Sequence, residues 1–445
     1  MKMQKIKLPH QIENVIDIFE QNGFEAYVVG GAVRDAVMGV EPSDWDVAVS
    51  AKPNEVKRLF KKHFDSGISH GTVTVLEEGY PVEVTTFRVD GEYSDCRHPE
   101  SVVFTSKLAE DLKRRDFTVN ALAYSHRTGL IDLFGCRADI KAGVIRCVGK
   151  PEERFREDAL RIMRAVRFAV TMGFSIEDKT YMAIADCCEL LNNISSERIC
   201  VELTKTLMCG GGLDIVFDSG VGGVILPELA RCFSVWQNNS AHIYDVGNHA
   251  LETVYNVPKN PVLRFAALLH DVGKPCVHLR DEHGVDCFPN HAAASATIAR
   301  DILKRLKLSN KHIFAIVGLV RVHDIVIRPN ELSVRRAASR MEKTSFEDLL
   351  ALKRGIAMAQ NPNYAEEAVA ALDLIDALYR RITEEGQPLY LSDLAVNGSD
   401  MKSLGFKSSS IGKCLRYLLA RVIEEPALNT RETLMKLAAE REQKM

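Results

Sequence analysis

The strongest constraint on the fold comes from two short segments near the N-terminus, VVGGAVRD and SDWDV. In the first, Gly30 and Gly31 end an apolar run and open a helix-like segment, whose free backbone amides suit a triphosphate. In the second, Asp44 and Asp46 lie two residues apart, so on a strand their side chains point to one face. The two segments predict a phosphate cradle facing a Mg²⁺ site, as phosphoryl or nucleotidyl transfer requires.

A third acid, Glu83, interrupts an apolar strand-like run, VEV. An unpaired buried carboxylate is costly, so Glu83 lies either exposed at a sheet edge or beside metal ions. We interpret it as a partner of Asp44 and Asp46 around two Mg²⁺ ions. One ion would lower the pKa of an attacking 3′-hydroxyl, and the other would offset charge on the triphosphate and the leaving pyrophosphate.

A basic stretch, KRRDFTVNA, follows the acidic segments. We expect Arg115 to contact phosphate and the side chains of Asp116 and Asn120 to hydrogen-bond sugar hydroxyls. Asp116 also suits the cap of a helix, and the two interpretations are compatible.

Further along, one acid and three arginines recur every three residues: Asp158, Arg161, Arg164 and Arg167. On one helix they would form a polar stripe, which is either a solvated, salt-bridged face or a base-reading surface. Adenine and cytosine both present an amino donor beside a ring-nitrogen acceptor, whereas uracil and guanine present the opposite polarity. A fixed Asp and Arg would therefore accept ATP and CTP, and each mispaired contact with UTP or GTP would cost about 1–3 kcal/mol.

The chain of 445 residues is long enough for two to four domains. Its formal charge of −3 gives no global attraction to nucleic acid, so any RNA binding must come from a local patch. Eleven cysteines without a CxxC pair predict free thiols and a cytoplasmic location. We expect neither a signal peptide nor a membrane span, because no apolar run is long enough.

Short apolar runs with turns predict strands in the first third of the chain, and helical periodicity dominates after Pro151. The predicted strands are Ala26–Gly30, Trp45–Ser50, Thr72–Leu76, Val82–Phe87 and Ser101–Phe104. We expect an α/β head followed by helical regions, with boundaries at 1–147, 148–238, 239–360 and 361–445.

Six ordered segments resemble bacterial tRNA nucleotidyltransferases (CCA-adding enzymes) of the poly(A) polymerase-like class: VVGGAVRD, SDWD, VEVTTFR, RRDFTVNALAY, EDALRIMRAVRF and SSERICVELTK. The resemblance implies fold class α+β: a nucleotidyltransferase head with a mixed sheet, then an all-helical neck, an HD-type body and a tRNA-binding tail. It implies that tRNA lies along the helical part and that Asp44 and Asp46 bind metal. Residues 90–99 match the flexible loop that full CCA addition needs in this family. The implied ATP and CTP contacts are Gly31, Arg34, Arg115, Asp158, Arg161, Arg164 and Arg167.

Histidines and aspartates form a second pattern, which resembles the HD hydrolase superfamily. The residues matching its ligand order are His249, His270, Asp271 and Asp324. His291 and His323 are candidates for a second divalent metal ion. In related enzymes this domain hydrolyses cyclic phosphates or phosphomonoesters, or it is degenerate. The alternative is a helical body that uses the scaffold only to hold tRNA.

The expected function is Mg²⁺-dependent addition of C, C and A from CTP and ATP to tRNA 3′ ends, without an obligate protein partner. Three alternatives stay open from the sequence. The first is an A-adding nucleotidyltransferase or a poly(A) polymerase. The second is a phosphohydrolase whose HD site does the main chemistry, and the third is a non-catalytic RNA-binding protein.

Overall fold

A computed structural model of the chain describes residues 6–68, 71–91, 102–341 and 345–442. The predicted flexible loop, residues 90–99, lies outside the described residues except for its first two positions. The chain divides into two compact units, Met1–Pro227 and Glu228–Met445. The four-part division expected from the sequence is finer than this and stays a prediction.

The N-terminal unit combines strands and helices. Its strands are β1 (Ala26–Val29), β2 (Asp46–Val49), β3 (His63–Gly67), β4 (Thr72–Glu77), β5 (Tyr80–Thr86), β6 (Arg88–Asp90), β7 (Val102–Phe104), β8 (Leu122–Ser125), β9 (Gly129–Asp132), β10 (Val144–Ile145) and β11 (Ser175–Ile176). Its helices are α1 (His10–Gln21), α2 (Gly31–Met38), α3 (Pro53–Leu59), α4 (Leu108–Lys113), α5 (Cys136–Ala142), α6 (Pro151–Glu157), α7 (Leu160–Met172), α8 (Asp178–Cys187), α9 (Ser196–Leu207), α10 (Asp214–Asp218) and α11 (Val221–Ile225). Short 3₁₀ turns cover Thr118–Asn120 and Cys188–Asn193.

A mixed seven-stranded sheet, in the order β3-β4-β5-β2-β1-β8-β9, forms the head. Strand β2 is antiparallel to β1 and parallel to β5. All five strands predicted from apolar runs are confirmed as β1, β2, β4, β5 and β7. Three strands of the sheet, β3, β8 and β9, were not predicted. The sequence of β3, HFDSG, lacks the alternation of polar and apolar residues on which the prediction relied.

Apolar side chains cover both faces of this sheet. On one face, Ile12, Ile16 and Phe19 of α1 pack with the strands. On the other, Phe87 and Leu112 belong to a second buried cluster. Because both faces are covered, all four residues of β1 are buried, as in strands at the centre of layered folds. In the neighbouring strand β2, only the first residue, Asp46, is exposed.

The C-terminal unit is helical apart from one short strand pair, β12 (Leu279–Arg280) and β13 (Asp286–Cys287). Its helices are α12 (Pro227–Ala230), which starts at the boundary, α13 (Val246–Asn256), α14 (Pro261–Leu269), α15 (Lys274–Val277), α16 (His291–Arg305), α17 (Asn310–Val322), α18 (Glu331–Ala338), α19 (Phe346–Met358), α20 (Pro362–Glu384), α21 (Gly398–Ser403), α22 (Ser408–Glu424) and α23 (Arg431–Glu442). Short 3₁₀ turns cover Arg231–Ser234, Ser339–Met341, Leu391–Asp393 and Pro426–Leu428. Among the described helices, none combines the length and apolarity needed to span a lipid bilayer.

Candidate active site

The glycine pair forms the turn between β1 and α2. Gly30 has φ +73° and ψ −136°, a conformation open essentially to glycine. Its carbonyl accepts a hydrogen bond from the Arg34 amide at 3.1 Å, the first bond of α2. A Cβ atom at Gly30 would lie 3.1 Å from Nη1 of Arg115, so the turn also leaves room for that guanidinium. The predicted strand, turn and helix are all present.

The three predicted metal ligands lie at the same end of the sheet as this turn. Asp46 opens β2 and pairs in register with Val29 on one side and with Glu83 on the other. Asp44 lies two residues before Asp46, and all three carboxylates are exposed. Glu83 lies on β5, between β4 and β2, so the alternative of an acid at a sheet edge is wrong.

The electrostatics of Asp46 reflect how closely charged groups gather here. Partial desolvation by the surrounding protein is the largest effect on Asp46, and the carboxylates of Glu83 and Asp44 act in the same direction. The pKa of Asp46 is therefore raised above its ordinary value. The Arg115 guanidinium acts in the opposite direction. A cluster of carboxylates that repel one another is a site at which a divalent cation would be favoured.

A buried acid, Asp111, binds the guanidinium of Arg115. Its Nη2 lies 3.2 Å from Asp111, which is fully buried and also accepts hydrogen bonds from Arg114. Burial raises the pKa of Asp111, but the two guanidiniums outweigh it and hold that pKa below its ordinary value. Asp111 was not among the predicted site residues. It lies on α4, four residues before Arg115, which follows the end of that helix.

Asp116 and Asn120 belong to a hydrogen-bonded chain that links two predicted arginines. Arg34 Nη1 donates to the Asn120 side-chain oxygen at 2.7 Å, and the Asn120 amide donates to Asp116 at 3.1 Å. Arg164 in turn donates twice to Asp116, at 2.8 and 2.6 Å. Despite burial, Arg164 and Asn120 lower the pKa of Asp116 to about 2.

Three arginine side chains surround one aromatic ring. The guanidinium carbons of Arg34, Arg164 and Arg167 lie 5.4, 5.2 and 4.0 Å from the centroid of the Phe168 ring. Such distances are typical of cation–π contact. Phe168 is buried, and it orients the arginines that the sequence singled out.

The prediction that one helix carries all four residues of the polar stripe is wrong for Asp158, the first of the four. Helix α6 ends at Glu157, and Asp158 follows in an extended conformation with φ −137° and ψ 102° before α7 starts at Leu160. The Asp158 carboxylate accepts from the Leu160 amide at 3.1 Å, a cap-like bond that favours aspartate outside a helix.

Asp158 and Arg161 both bind other protein groups. Asp158 binds Arg198 at 3.0 Å, whereas Arg161 donates to Glu157 at 2.6 Å and to the Arg114 carbonyl at 3.0 Å. Arg161 is only 8% exposed, so the alternative of a solvated charged face is wrong.

Two residues of α9 were missed in the list of candidate residues. Arg198 binds Asp158, and Glu202 accepts from Arg167 at 2.5 Å. They lie at positions i and i+4 of α9, on one side of the helix. That spacing, inside the segment SSERICVELTK, was a signal that pointed to paired partners on a neighbouring element.

The C-terminal unit holds the second candidate site, in a cavity of about 430 Å³. Two overlapping groups of potential metal ligands lie there among the described residues: His249 with His270 and Asp271, and Asp271 with His291 and His323. Asp271 is central, with Oδ1 at 3.4 and 3.5 Å from Nε2 of His291 and His323. Lys274 Nζ lies 2.6 Å from the other oxygen, Oδ2.

Five histidines line this cavity, and all of them except His242 present the same nitrogen to it. In each of these four, Nδ1 faces a backbone carbonyl, at distances of 3.2 Å for His249, 2.7 Å for His270, 2.9 Å for His291 and 2.7 Å for His323. A carbonyl only accepts, so Nδ1 carries the proton and Nε2 of the neutral ring keeps its lone pair. Burial lowers the pKa of His249 well below its ordinary value, which favours that neutral form.

Asp324, the predicted fourth HD ligand, is placed differently. It borders the cavity, but its side chain is exposed and belongs to neither ligand group. Helix α17 ends at Val322, and His323 points inward with Nδ1 bonded to the Val320 carbonyl. Consecutive residues at a helix end project in different directions, so His323 joins a ligand group in this structure, and a ligand role for Asp324 stays a prediction.

Comparison with known families assigns three consecutive regions of the chain. The Poly A polymerase head domain matches residues 26–146, and the probable RNA and SrmB-binding site of polymerase A matches residues 173–233. The HD domain matches residues 240–351.

Curated relatives agree over nearly the whole chain. The CCA-adding enzyme of Latilactobacillus sakei is 36% identical over 430 residues, covering 95% of this chain and 96% of that protein. The chain belongs to the CCA-adding enzyme family. The enzyme of Levilactobacillus brevis is 52% identical over 208 residues, 46% of this chain and 52% of that protein, so the match spans about half of that relative's length.

Solved structures of this family share the fold. A Bacillus stearothermophilus CCA-adding enzyme in complex with CTP aligns with a TM-score of 0.73 and 29% identity, covering 98% of each chain. A Thermotoga maritima CCA-adding enzyme complexed with tRNA aligns with a TM-score of 0.60 at 19% identity, covering 98% of this chain and 96% of that one. The resemblance to tRNA nucleotidyltransferases and the α+β fold class are confirmed.

Proposed function

We propose that this chain adds C, C and A to the 3′ end of tRNA, using CTP and ATP without a nucleic-acid template. The observation that carries the proposal is the register of the head sheet, in which Asp46 lies beside Glu83 and next to the Gly30 turn. The family's curated names and a CTP complex of a relative support the same reaction. In that reaction the tRNA 3′-oxygen bonds to the α-phosphorus, and the bond from that phosphorus to the leaving pyrophosphate breaks.

The acidic cluster fits Mg²⁺ by the chemistry of its donors. Asp44, Asp46 and Glu83 supply carboxylate oxygens, which hard divalent cations prefer. The like charges that raise the pKa of Asp46 would be offset there. When bound, Mg²⁺ lowers the pKa of the 3′-hydroxyl and neutralises charge on the triphosphate.

The other residues would bind and orient the nucleotide. The turn at Gly30 and Gly31 begins α2, whose first amides have no carbonyl partner within the helix, and Arg115 lies over the same turn. The hydrogen-bonded side chains of Arg34, Asn120 and Asp116 would contact the sugar. This is the role that the sequence predicts for Asp116 and Asn120.

Base selection is assigned to Asp158 and Arg161, together with the arginines packed on Phe168. Because Asp158 binds Arg198 and Arg161 binds Glu157, either side chain must exchange a partner to pair with a base. Arg198 is therefore part of the proposed selection site.

The decisive experiment uses tRNAs that end at the discriminator base, or one or two cytidines beyond it, with single nucleotides and Mg²⁺. We expect CTP to extend the first two substrates and ATP to extend the third. Extension of the third substrate alone would identify an A-adding enzyme, and repeated addition of A would identify a poly(A) polymerase. Incorporation of UTP or GTP at the rate of CTP would refute the selection argument.

We propose a phosphohydrolase as a second activity, at the histidine cavity. The supporting observation is that Nε2 of His291 and Nε2 of His323 lie 3.2 Å apart while both Nδ1 atoms face carbonyls. Two facing lone pairs repel unless a cation lies between them. Nε2 of His249 is also buried without a hydrogen-bond partner in the described part of the chain. A divalent metal fits this donor set.

The two proposed activities are separated by two variants, His270→Ala and Asp44→Ala. A cyclic 2′,3′-phosphate and a phosphomonoester serve as test substrates. We expect His270→Ala to abolish hydrolysis and leave nucleotide addition intact, and Asp44→Ala to do the reverse. Hydrolysis that persists in His270→Ala would refute a hydrolytic role for the histidine cavity, which would then have a structural role only.

The proposed site of action is the cytoplasm. Ten described cysteines carry no disulfide, which is typical of a reducing compartment. Localisation of a tagged full-length chain by cell fractionation tests this placement.

A further inference from the structure

A second cavity of the C-terminal unit, distinct from the histidine cavity, is lined by cations. It measures about 650 Å³ and lies between α16, α17 and the turn at Ser339–Met341. Among the described residues, no carboxylate lines it, and four basic side chains do: Arg300, Lys304, Arg321 and Arg340. We call these four residues and their cavity the basic groove.

The basic groove differs from the rest of this unit in how its charges are balanced. Several other arginines of this unit are paired, as Arg305 is with Glu228, Arg354 with Asp373 and Arg380 with Asp376. None of the four groove cations has an ion-pair partner within the described ranges. Like charges gathered without counter-charge repel one another, so an arrangement of this kind favours a bound polyanion.

The floor of the basic groove is apolar. Ile313 and Val317 of α17 are buried there, and the Phe314 ring beside them is 52% exposed. A cationic rim over an apolar, aromatic floor suits a nucleic-acid strand, whose phosphates meet the rim while its sugars or bases meet the floor. A free inorganic anion would use the rim alone.

The length of the basic groove also favours a polymer. From Asn310 to Arg321, both of which line it, α17 rises by about 16 Å at 1.5 Å per residue. A nucleic-acid duplex carries about one charge per 1.7 Å of its axis, so several phosphates fit along this length. A neighbouring cavity shares Arg340 and adds Arg328, which also has no ion-pair partner among the described residues.

We propose that the basic groove binds the phosphate backbone of the RNA substrate. This inference rests on the proposed function, because it takes the substrate to be tRNA. A net charge of −3 gives the whole chain no attraction to RNA, so the attraction would come from this local cluster of cations.

The test compares two double variants of equal net charge in the full-length chain. Arg300→Gln with Arg321→Gln removes two groove cations, whereas Arg354→Gln with Arg380→Gln removes two paired cations of the same unit. The dissociation constant for a tRNA lacking its CCA end is measured by fluorescence anisotropy over a range of salt concentrations. Circular dichroism and thermal melting establish that both variants fold.

We expect the groove variant to bind tRNA at least about 10-fold more weakly at low salt, with a salt slope reduced by about 1.5 for two lost phosphate contacts. The control should keep the affinity and slope of the wild type. Equal values for the two variants would overturn the proposal. It would also fall if inorganic phosphate protected the wild type against heat while the groove variant kept full tRNA affinity, which would mark a small-anion site.

Nucleotide addition separates this proposal from the proposed function. The groove variant should raise KM for tRNA and keep kcat, because the basic groove is outside the catalytic residues. A wild-type chain that binds tRNA through the groove but adds no nucleotide would refute the proposed function and leave the groove assignment standing.

Discussion

At the scale of single residues, the head site depends on a few positions with two demands each. Gly30 must adopt a conformation closed to other residues, and it must also leave space for the Arg115 guanidinium. Asp46 must stay at the end of a buried strand, where partial desolvation and two further acids raise its pKa. Neither position has a conservative replacement.

Asp46→Asn should reduce nucleotide addition by at least about 100-fold, because it removes a charged donor from the proposed metal cluster. The side chain is exposed, so the fold should persist. Single-nucleotide incorporation into truncated tRNA measures the effect. Glu77→Gln, at the other end of the β4–β5 hairpin, is the control and should keep full activity. Comparable losses in both variants would contradict the assignment.

Gly30→Ala and Gly39→Ala separate backbone strain from contact with the site. Both glycines have positive φ, but a Cβ at Gly39 meets nothing within 4 Å. We expect Gly39→Ala to lower the free energy of unfolding by about 1–2 kcal/mol and keep activity. Gly30→Ala should lower it by about 1–3 kcal/mol and also lose most nucleotide addition. Urea denaturation and the incorporation assay measure the two effects, and full activity in Gly30→Ala would refute the role of the turn.

At the scale of elements, ion pairs hold the head's basic stretch against α7. Asp116 follows α4, whereas Arg164 lies at the middle of α7, and the bond between their side chains joins segments 48 residues apart. Helix α9 adds a second layer through Arg198 and Glu202. The helical periodicity of α7 was readable from its apolar residues, but which partner each arginine takes was not.

The pair of Asp116 and Arg164 should make stability depend on pH. The pKa of Asp116 falls from 3.8 to about 2 on folding. A depressed carboxyl pKa stabilises the fold above pH 4, and this contribution is lost as pH falls from about 4 to about 2. Its size is about 2 kcal/mol.

Asp116→Asn should therefore lower the free energy of unfolding at pH 7 by about 2 kcal/mol and flatten its dependence on pH below 4. Denaturant unfolding at several pH values measures both quantities. Asp65→Asn, which breaks an exposed pair with Lys57, should cost less than about 1 kcal/mol. An equal loss in both variants would show that the buried pair contributes no more than a surface one.

At the scale of the whole molecule, the proposed sites fall in different compact units. The acids and the glycine turn belong to Met1–Pro227, and the histidine cavity and the basic groove belong to Glu228–Met445. Ligands that bind different units should therefore change amide hydrogen exchange in different parts of the chain.

Hydrogen exchange of the full-length chain measures how each ligand protects backbone amides. CTP should protect the amides of α2 and of the turn at Thr118–Asn120, because it would order the groups around them. Mn²⁺ should slow exchange at the C-terminal ends of α14 and α17, next to His270 and His323. His270→Ala should remove the second effect and keep the first. Protection by Mn²⁺ that survives this variant would contradict a metal site in the histidine cavity.

Much of this protein could be predicted from the sequence by itself, because local chemistry determines it. The Gly-Gly turn and the strand alternation around Asp46 and Glu83 depend on residues close together in the chain. Backbone conformation and side-chain period act over a few residues, so these features needed no knowledge of distant contacts. Each of them is present in the structure.

Only the tertiary structure decided which charged groups meet. Asp158 lies outside a helix and binds Arg198, His323 joins His291 and Asp271 in the histidine cavity, and four cations from α16, α17 and a following turn line one groove. These pairings join residues far apart in sequence, and they depend on the rotation of each helix against its neighbours. A single sequence contains the charges but not the rotations, because packing of the whole core sets them.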